Sequence, residues 1–205
     1  MIRLYALKGL SHGDLAEVTG ILERGGIGVI PTDTLYGIVG LASSREAVER
    51  IYQLKGRDRA KPLSLLVESV EAASKLAWVT RHSRALADRF WPGPLTIVLP
   101  SRKGTKLPMQ DGMSVGIRVP DSEICIRVIR AVGPLVAPSA NTQGQAAPSS
   151  AAAIEPSVLA AVDFLIDAGG CPGGVESTVV DAREGVTILR EGAVPSADII
   201  SVGRP

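Results

Sequence analysis

Short apolar segments alternate with amphipathic segments along most of the chain, and this alternation limits the possible folds more than any other feature. Segments with the length and composition of strands lie at 2–7, 27–31, 62–67, 95–100, 114–120, 134–141, 163–169, 177–182 and 186–192. Segments with helical spacing or composition lie at 11–26, 43–57, 69–79, 80–91, 121–133 and 149–162, the last interrupted by Pro156. Because helices separate most of the strands, the order predicts an α/β fold with a mixed sheet flanked by helices.

The chain has 205 residues, a length typical of one domain, and it contains neither an internal repeat nor a dividing linker. We therefore expect residues 1–205 to form a single domain. The stretch 142–153, rich in Ala, Ser, Pro and Gln, is predicted to be the most mobile loop, with a disordered linker as the alternative. Side chains that can cap the start of a helix are Ser11, Ser43 or Ser44, and Asp121 or Ser122.

The composition argues against several classes of protein. The formal net charge is +1 and aromatic residues make up 3%, whereas broad nucleic-acid surfaces need excess cations and stacking platforms need aromatic rings. Cys125 and Cys171 have no CxxC spacing, and the only histidines are His12 and His82, so no metal site is indicated. Neither a signal peptide nor an apolar stretch of membrane-spanning length is present. We expect a soluble, cytoplasmic protein.

The familiar sequence motifs of catalysis are missing. The chain has no GxxxxGK[ST] phosphate loop, no dinucleotide-binding glycine pattern and no GxSxG nucleophile motif. It also lacks a convincing Cys/His pair, so a covalent enzyme intermediate is not favoured. Any catalysis would then depend on charged and hydroxyl groups that position a substrate.

Polar clusters stand at the ends of several predicted strands. The most concentrated is KGRDRAKPLSLLV at 55–67, where the cations Lys55, Arg57, Arg59 and Lys61 precede a buried strand. Because the ends of neighbouring strands can meet at one crevice, we predict a concave basic cavity that binds an anion. The alternative is a solvated helix end, where cations suit the negative pole of the helix dipole.

Arg118 lies within an otherwise apolar strand, where an unpaired guanidinium would be costly to bury. It therefore needs an anionic partner, which is either a ligand or a structural Asp or Glu. Three other clusters also have two interpretations. Segments 31–34 and 138–141 are either site residues or ordinary turns, and Arg190 is either a ligand contact or a surface strand residue.

Taken in order, these clusters resemble the YrdC/Sua5 family of L-threonylcarbamoyladenylate synthases. The family pattern runs PT-acid-T-x-YG, then K-x-R followed by PL, then WPGPLT, R-V-P, SAN, EST and R-E-G. The matching segments here are 31–37, 55–57 with 62–63, 91–96, 118–120, 139–141, 176–178 and 190–192. One such motif is a weak signal, but the whole ordered set is highly specific and extends over about residues 12–200.

The resemblance implies an open, twisted mixed sheet of the YrdC-like fold with a concave basic cavity, as a single catalytic domain without the C-terminal domain of longer Sua5 members. It implies a nucleotidyltransferase that converts L-threonine, bicarbonate and ATP into threonylcarbamoyl-AMP and pyrophosphate. A threonylcarbamoyl transferase complex would then modify adenosine 37 of tRNAs that read ANN codons, giving t6A. Mg²⁺ would enter with ATP rather than on protein ligands, and any direct contact with tRNA would be weak.

The resemblance also implies roles for single residues. Lys55 and Arg57 match the K-x-R motif, which implies catalytic roles. Residues that match L-threonine contacts are Thr34, Arg118, Ser139 and Ser177. Residues that match ATP contacts are Arg57, Lys61, Ser114, Asn141, Ser149 and Arg190. Two departures from the family, Lys61 for a frequent asparagine and Leu66 for a frequent histidine, are expected to alter affinity.

The implied reaction needs no enzyme nucleophile, because the threonine amine forms a carbamate that attacks the α-phosphorus of ATP. We expect Lys55 and Arg57 to point into the cavity, Arg59 to be merely solvated, and the loop 142–153 to close over ATP. Three alternatives remain at this point: an RNA-binding module, a carbamoyl-adenylating domain like that of hydrogenase-maturation proteins, and a family paralogue with weak or different activity.

Overall fold

The computed structural model describes residues 2–6, 9–103, 107–108 and 113–203. The strands are β1 (Ile2–Tyr5), β2 (Ile27–Pro31), β3 (Tyr36–Leu41), β4 (Leu65–Leu66), β5 (Leu95–Pro100), β6 (Ser114–Arg118), β7 (Leu135–Val136), β8 (Phe164–Asp167), β9 (Thr178–Asp181) and β10 (Thr187–Arg190). The α-helices are α1 (His12–Glu23), α2 (Arg45–Lys55), α3 (Val70–Leu76), α4 (Arg81–Phe90), α5 (Glu123–Val132), α6 (Pro156–Ala161) and α7 (Ser196–Gly203).

All of these strands join one sheet in the order β1-β8-β2-β3-β7-β4-β6-β5-β9-β10. The pairs β1/β8, β8/β2, β4/β6 and β5/β9 are parallel. The remaining neighbours, including the β2/β3 and β5/β6 hairpins, are antiparallel. The predicted mixed α/β sheet is therefore confirmed, and its two halves are joined through the short strands β7 and β4.

Local sequence signals account for where several helices begin. The Ser11 hydroxyl accepts from the Asp14 N–H at 3.1 Å while the Asp14 carboxylate accepts from the Ser11 N–H, a reciprocal capping box that starts α1. Ser44, rather than Ser43, caps α2, and Ser122 caps α5. The helix α2 ends at Gly56, whose φ of 57° is a left-handed conformation that suits glycine.

Three segments differ most clearly from the sequence prediction. The strand β3 is missing from the predicted strands because Gly37 and Gly40 interrupt its apolar run, and glycine is depleted in strands. The helix α7 is also unpredicted. The predicted helix 149–162 consists of a 3-10 helix (Ala151–Ala153) and of α6, whose first residue is Pro156. The prediction for Leu7 lies outside the described residues.

Two apolar cores cover the two faces of the sheet. Neighbouring residues of one strand point to opposite faces, and accordingly Val29 packs in one core while Ile30 packs in the other. The core that contains Val29 includes apolar residues of α2 and α4, and the core that contains Ile30 includes those of α1 and α5. No helix among the described residues is long and apolar enough to cross a membrane.

Candidate active site

A cavity of about 320 Å³ opens where the β2–β3 turn, the end of α2, the end of β6 and the segment after β7 meet. Nine predicted site residues line it: Thr34, Lys55, Arg57, Lys61, Arg118, Ser139, Asn141, Ser177 and Arg190. Ser114 and Ser149 are not part of this lining. Ser114 pairs with Pro100 at the opposite end of β6 from Arg118, and Ser149 is exposed with its carbonyl accepting from the Cys171 N–H at 2.7 Å.

Arg118 is buried and held by three residues from two parts of the chain. Its Nη2 donates to Asp33 Oδ1 at 2.5 Å, its Nη1 to Thr34 Oγ1 at 3.0 Å and its Nε to the Gly93 carbonyl at 2.9 Å. The ion pair is shielded from solvent, since the two side chains are 7% and 9% exposed. Of the two anionic partners considered for Arg118, the structural carboxylate is therefore present, and it is Asp33.

The WPGPLT motif supplies the carbonyl that fixes the Nε of Arg118. The Gly93 N–H donates to the Val119 carbonyl at 2.9 Å, and the Trp91 indole N–H donates to the Leu95 carbonyl at 2.7 Å. A Cβ on Gly93 would lie 2.6 Å from the Phe90 carbonyl oxygen, so no larger residue fits this turn. The motif thus aims a backbone acceptor at Arg118.

Lys55, the last residue of α2, reaches the SAN segment (139–141). Its ammonium donates to the carbonyls of Ser139 and Asn141 at 2.6 and 2.7 Å and to Asn141 Oδ1 at 3.0 Å. Burial, reinforced by the nearby Arg57 guanidinium, lowers the pKa of Lys55 to about 8, although Glu176 and Glu155 act in the opposite direction. The side chain points inward as expected, but its ammonium protons are donated to acceptors of the protein itself.

The other cations of the basic stretch have different surroundings. Arg57 donates to the backbone carbonyls of Lys61 and Pro62 at 3.0 and 3.2 Å, which folds the segment back beside the cavity. Lys61 is exposed at the cavity mouth. Arg59 is solvent-exposed on the outer surface, where it also forms an ion pair with Glu49 and lies over the Tyr52 ring, 5.2 Å from its centroid.

The EST and R-E-G segments meet on the opposite wall. Arg190 donates to the Ser177 carbonyl at 2.8 Å and to Ser177 Oγ at 3.3 Å, and it forms an ion pair with Glu176 at 2.8 Å. The Ser177 hydroxyl is also hydrogen-bonded to the Thr96 hydroxyl at 3.0 Å. Because the Arg190 side chain is 46% exposed, this pair remains accessible from the cavity.

Sequence reasoning did not select several residues that shape the site. Asp33 and Glu176 lie inside the motifs at 31–37 and 176–178, so the motifs themselves carried the signal, but their arginine partners are remote in sequence. Thr142 lines the cavity, and its hydroxyl donates to the Glu155 carboxylate at 2.9 Å. Nothing in the local sequence around Thr142 indicates that contact.

The acidic residues near the cavity do not form a site for a metal ion. Among the described residues, no group of three or more His, Cys, Asp or Glu side chains is arranged to hold one. Asp33 and Glu176 are each paired with an arginine. The protein donors therefore do not fit a dedicated Mg²⁺ site.

A family model described as "Telomere recombination", for Sua5, YciO and YrdC proteins, matches residues 20–192. The chain belongs to this Sua5/YciO/YrdC family. The match contains all of the site residues described above, from Thr34 to Arg190. The predicted family and the predicted YrdC-like fold are thereby confirmed.

Members of the family resemble this chain over most of its length. A threonylcarbamoyl-AMP synthase from Pyrococcus abyssi is 36% identical over 187 residues, which cover 89% of this chain and 55% of the relative. A relative from Methanocaldococcus jannaschii is 38% identical over 201 residues, which cover 95% of this chain and 94% of the relative. The chain thus spans about half of one curated relative and nearly all of the other.

A solved family structure has the same fold. The crystal structure of Pyrococcus abyssi Sua5 complexed with L-threonine matches with a TM-score of 0.89 and 33% identity. The match covers 98% of this chain and 60% of that chain. The described sheet and its helices therefore correspond to part of a longer Sua5 protein.

Proposed function

We propose that this chain is a threonylcarbamoyl-AMP synthase, a nucleotidyltransferase that joins L-threonine, bicarbonate and ATP. One observation carries the proposal: a single cavity holds a buried, oriented guanidinium at one wall and more exposed cations at its mouth. Three of the five N–H groups of Arg118 are engaged by the described contacts, which leaves two for a ligand carboxylate. The cations suit a polyphosphate.

The names of similar proteins support the same substrates. The Pyrococcus abyssi relative is named threonylcarbamoyl-AMP synthase, and the matching Sua5 structure is a complex with L-threonine. By extension, Arg118 holds the threonine carboxylate, with Thr34, Ser139 and Ser177 as hydroxyl contacts. Arg57, Lys61, Asn141 and Arg190 would face ATP. Ser114 and Ser149 lie outside the cavity lining, so an ATP contact for them requires a larger bound ligand or a movement of the chain.

The chemistry follows from positioning and charge. The threonine amine adds to bicarbonate with loss of water and becomes a carbamate. A carbamate oxygen then bonds to the α-phosphorus of ATP while the bond to the bridging oxygen breaks, and pyrophosphate leaves with both electrons of that bond. Negative charge grows on the departing phosphates, where Arg57, Lys61 and Arg190 would stabilise it. Mg²⁺ would arrive bound to ATP, and no step is assigned to a protein-bound metal.

The proposal extends to the domain organisation of the chain and to the use of its product. Because the described residues form one continuous sheet, we treat residues 1–205 as a single YrdC-like catalytic domain. The product would pass to a threonylcarbamoyl transferase complex in the cytoplasm, which modifies adenosine 37 of tRNAs that read ANN codons. A weak direct contact with tRNA remains compatible with the exposed Lys61 at the cavity mouth.

The proposal is tested by measuring pyrophosphate release from Mg²⁺-ATP while L-threonine and bicarbonate are each omitted, with mass spectrometry for the adenylate. We expect release only when both are present. Release without either substrate would point to a paralogue with different nucleotide activity. Salt-sensitive RNA binding without ATP turnover would favour an RNA-binding module.

Comparing an arginine variant at the cavity with one on the outer surface tests whether ATP binds in the cavity. We expect Arg57→Ala to lower kcat/KM by at least about tenfold, because one arginine of the polyphosphate wall is lost. Arg59→Ala is the matched control, since Arg59 pairs with Glu49 on the outer surface. Equal, small losses in the two variants would contradict the placement of ATP beside Arg57.

A further inference from the structure

We infer that Lys55 is a positioning residue that holds the SAN segment in place, and that it does not contact the phosphates of ATP. The consequence for catalysis rests on the proposed function, whereas the consequence for the segment itself does not. The inference separates Lys55 from Arg57, its neighbour in the K-x-R motif.

The contacts of Lys55 match the capacity of an ammonium group. An ammonium has three protons and no lone pair, and Lys55 meets three acceptors: the Ser139 carbonyl, the Asn141 carbonyl and Asn141 Oδ1, at 2.6, 2.7 and 3.0 Å. A phosphate oxygen could bind only by displacing one of them. The side chain is also buried, with 6% of the residue exposed.

These contacts determine what the segment offers to a ligand. Only an oxygen can face an ammonium, so Lys55 fixes the orientation of the Asn141 side chain, whose amide nitrogen then donates to the Gln145 carbonyl at 2.5 Å. The Ser139 hydroxyl donates its single proton to Asn141 Oδ1 at 2.6 Å. Ser139 can therefore only accept a hydrogen bond from a ligand, such as one from an amine or a hydroxyl group.

The rest of the fold gives Lys55 a rigid base. The helix α2 is anchored in the core through Val48 and Ile51, which are 1% and 0% exposed, and it stops directly after Lys55 at Gly56. The middle of the segment is held separately, because the Ala140 N–H donates to the Tyr36 carbonyl of β3 at 2.8 Å. Lys55 thus secures the residues on either side of Ala140, namely Ser139 and Asn141.

Hydrogen exchange of the ligand-free protein tests this role without any substrate. We expect Lys55→Met to accelerate amide exchange in residues 139–145 while exchange in the strands stays unchanged, because the acceptors lose their partner. Lys75→Met is the matched control, since Lys75 is an exposed lysine of α3 outside the cavity. Unchanged exchange in residues 139–145 would overturn the inference, even if the proposed reaction were wrong.

Kinetics then distinguish positioning from direct phosphate contact. If Lys55 acts through Asn141, kcat/KM should fall about 10–100-fold in Lys55→Met, and adding Asn141→Ala should cause little further loss. Losses that multiply in the double variant would show an independent contact with substrate and overturn the inference.

A second substitution, Lys55→Arg, keeps the positive charge and serves if Lys55→Met does not fold. A guanidinium spreads its donors over a planar fork and cannot direct three protons from one nitrogen to these acceptors. We therefore expect Lys55→Arg to lose activity about as much as Lys55→Met and to show the same exchange in residues 139–145. Retention of most activity would instead indicate that the charge acts directly on phosphate.

Discussion

At the scale of single residues, the site depends on pairing charges away from water. The Asp33–Arg118 ion pair is almost fully buried, and Asp33 Oδ2 has no hydrogen-bond partner within the described part of the chain. Taking two charges out of water costs free energy that only a well-aligned partner offsets. The pair is therefore better explained as orientation of Arg118 than as a source of stability.

This view predicts the outcome of removing one or both charges. Arg118→Met should lower the free energy of unfolding by about 3–5 kcal/mol, because Asp33 is left buried without a counter-charge. The double variant Asp33→Asn/Arg118→Met should regain much of that stability while remaining inactive. Urea unfolding and pyrophosphate release measure the two effects, and a double variant as unstable as the single one would contradict this explanation.

At the scale of elements, the packing of the EST segment against the end of β10 sets the position of Ser177 and Arg190. Gly192 follows β10, and a Cβ there would lie 2.4 Å from the Glu176 carbonyl oxygen and 2.6 Å from the Thr178 nitrogen. These atoms belong to the backbone, so the clash cannot be relieved by a side-chain rotation. The two segments must therefore separate if Gly192 is enlarged.

We expect Gly192→Ala to lower the free energy of unfolding by about 1–3 kcal/mol, because overpacking forces the backbone apart. The KM for ATP should also rise, since Arg190 moves with the strand end. Gly185→Ala is the matched control in the β9–β10 turn, where nothing lies within 4 Å of an added Cβ. Similar stabilities of the two variants in urea would show that the close approach is not limiting.

The link between α2 and the SAN segment predicts a dependence on pH. The pKa of Lys55 is lowered from 10.5 to about 8 by burial and by the neighbouring Arg57. Below pH 8 the residue is protonated in both the folded and the unfolded chain. Between about pH 8 and 10.5 the unfolded chain binds more protons, so this residue makes the free energy of unfolding increase with pH.

Denaturant unfolding from pH 7 to pH 10 checks this sign. The stability of the wild type relative to Lys55→Met should rise above pH 8, whereas activity should fall, because neutral Lys55 has only two protons for three acceptors. A stability difference that is constant with pH would contradict the lowered pKa.

At the scale of the whole molecule, Asp163 connects three parts of the fold. Its carboxylate accepts from the Ile27 N–H of β2 at 2.8 Å and from Arg50 of α2 at 2.8 and 3.2 Å, directly before β8 begins. Burial alone would raise the pKa of Asp163, but the hydrogen bonds from Arg50 and Ile27 outweigh it and leave the pKa lowered.

A lowered carboxyl pKa contributes stability that is present above its ordinary value and is lost as the pH falls through the folded-state pKa. Asp163→Asn should therefore be about 1 kcal/mol less stable than the wild type at pH 7, a modest value because the pair is partly exposed. The difference should shrink below pH 4. A difference that persists at pH 2.5 would show that charge is not the cause.

Prediction from the sequence succeeds where the signal is local. The capping side chains Ser11 and Ser44 act on N–H groups three residues away, and the strand β2 begins and ends where its apolar run does. It fails for β3, where Gly37 and Gly40 interrupt the apolar run. The sequence also does not indicate which end of β6 faces the cavity: Arg118 lines it, whereas Ser114 lies at the other end of the same strand.

The sequence by itself determined the family, most of the strands and helices in their order, and the motifs that supply the polar side chains. Only the tertiary structure decided what those side chains contact. Lys55 meets acceptors 84 and 86 residues away, and Arg118 meets Asp33 85 residues away. Helix caps and strand runs depend on neighbours along the chain, whereas these partners are chosen by how the sheet brings its strand ends together.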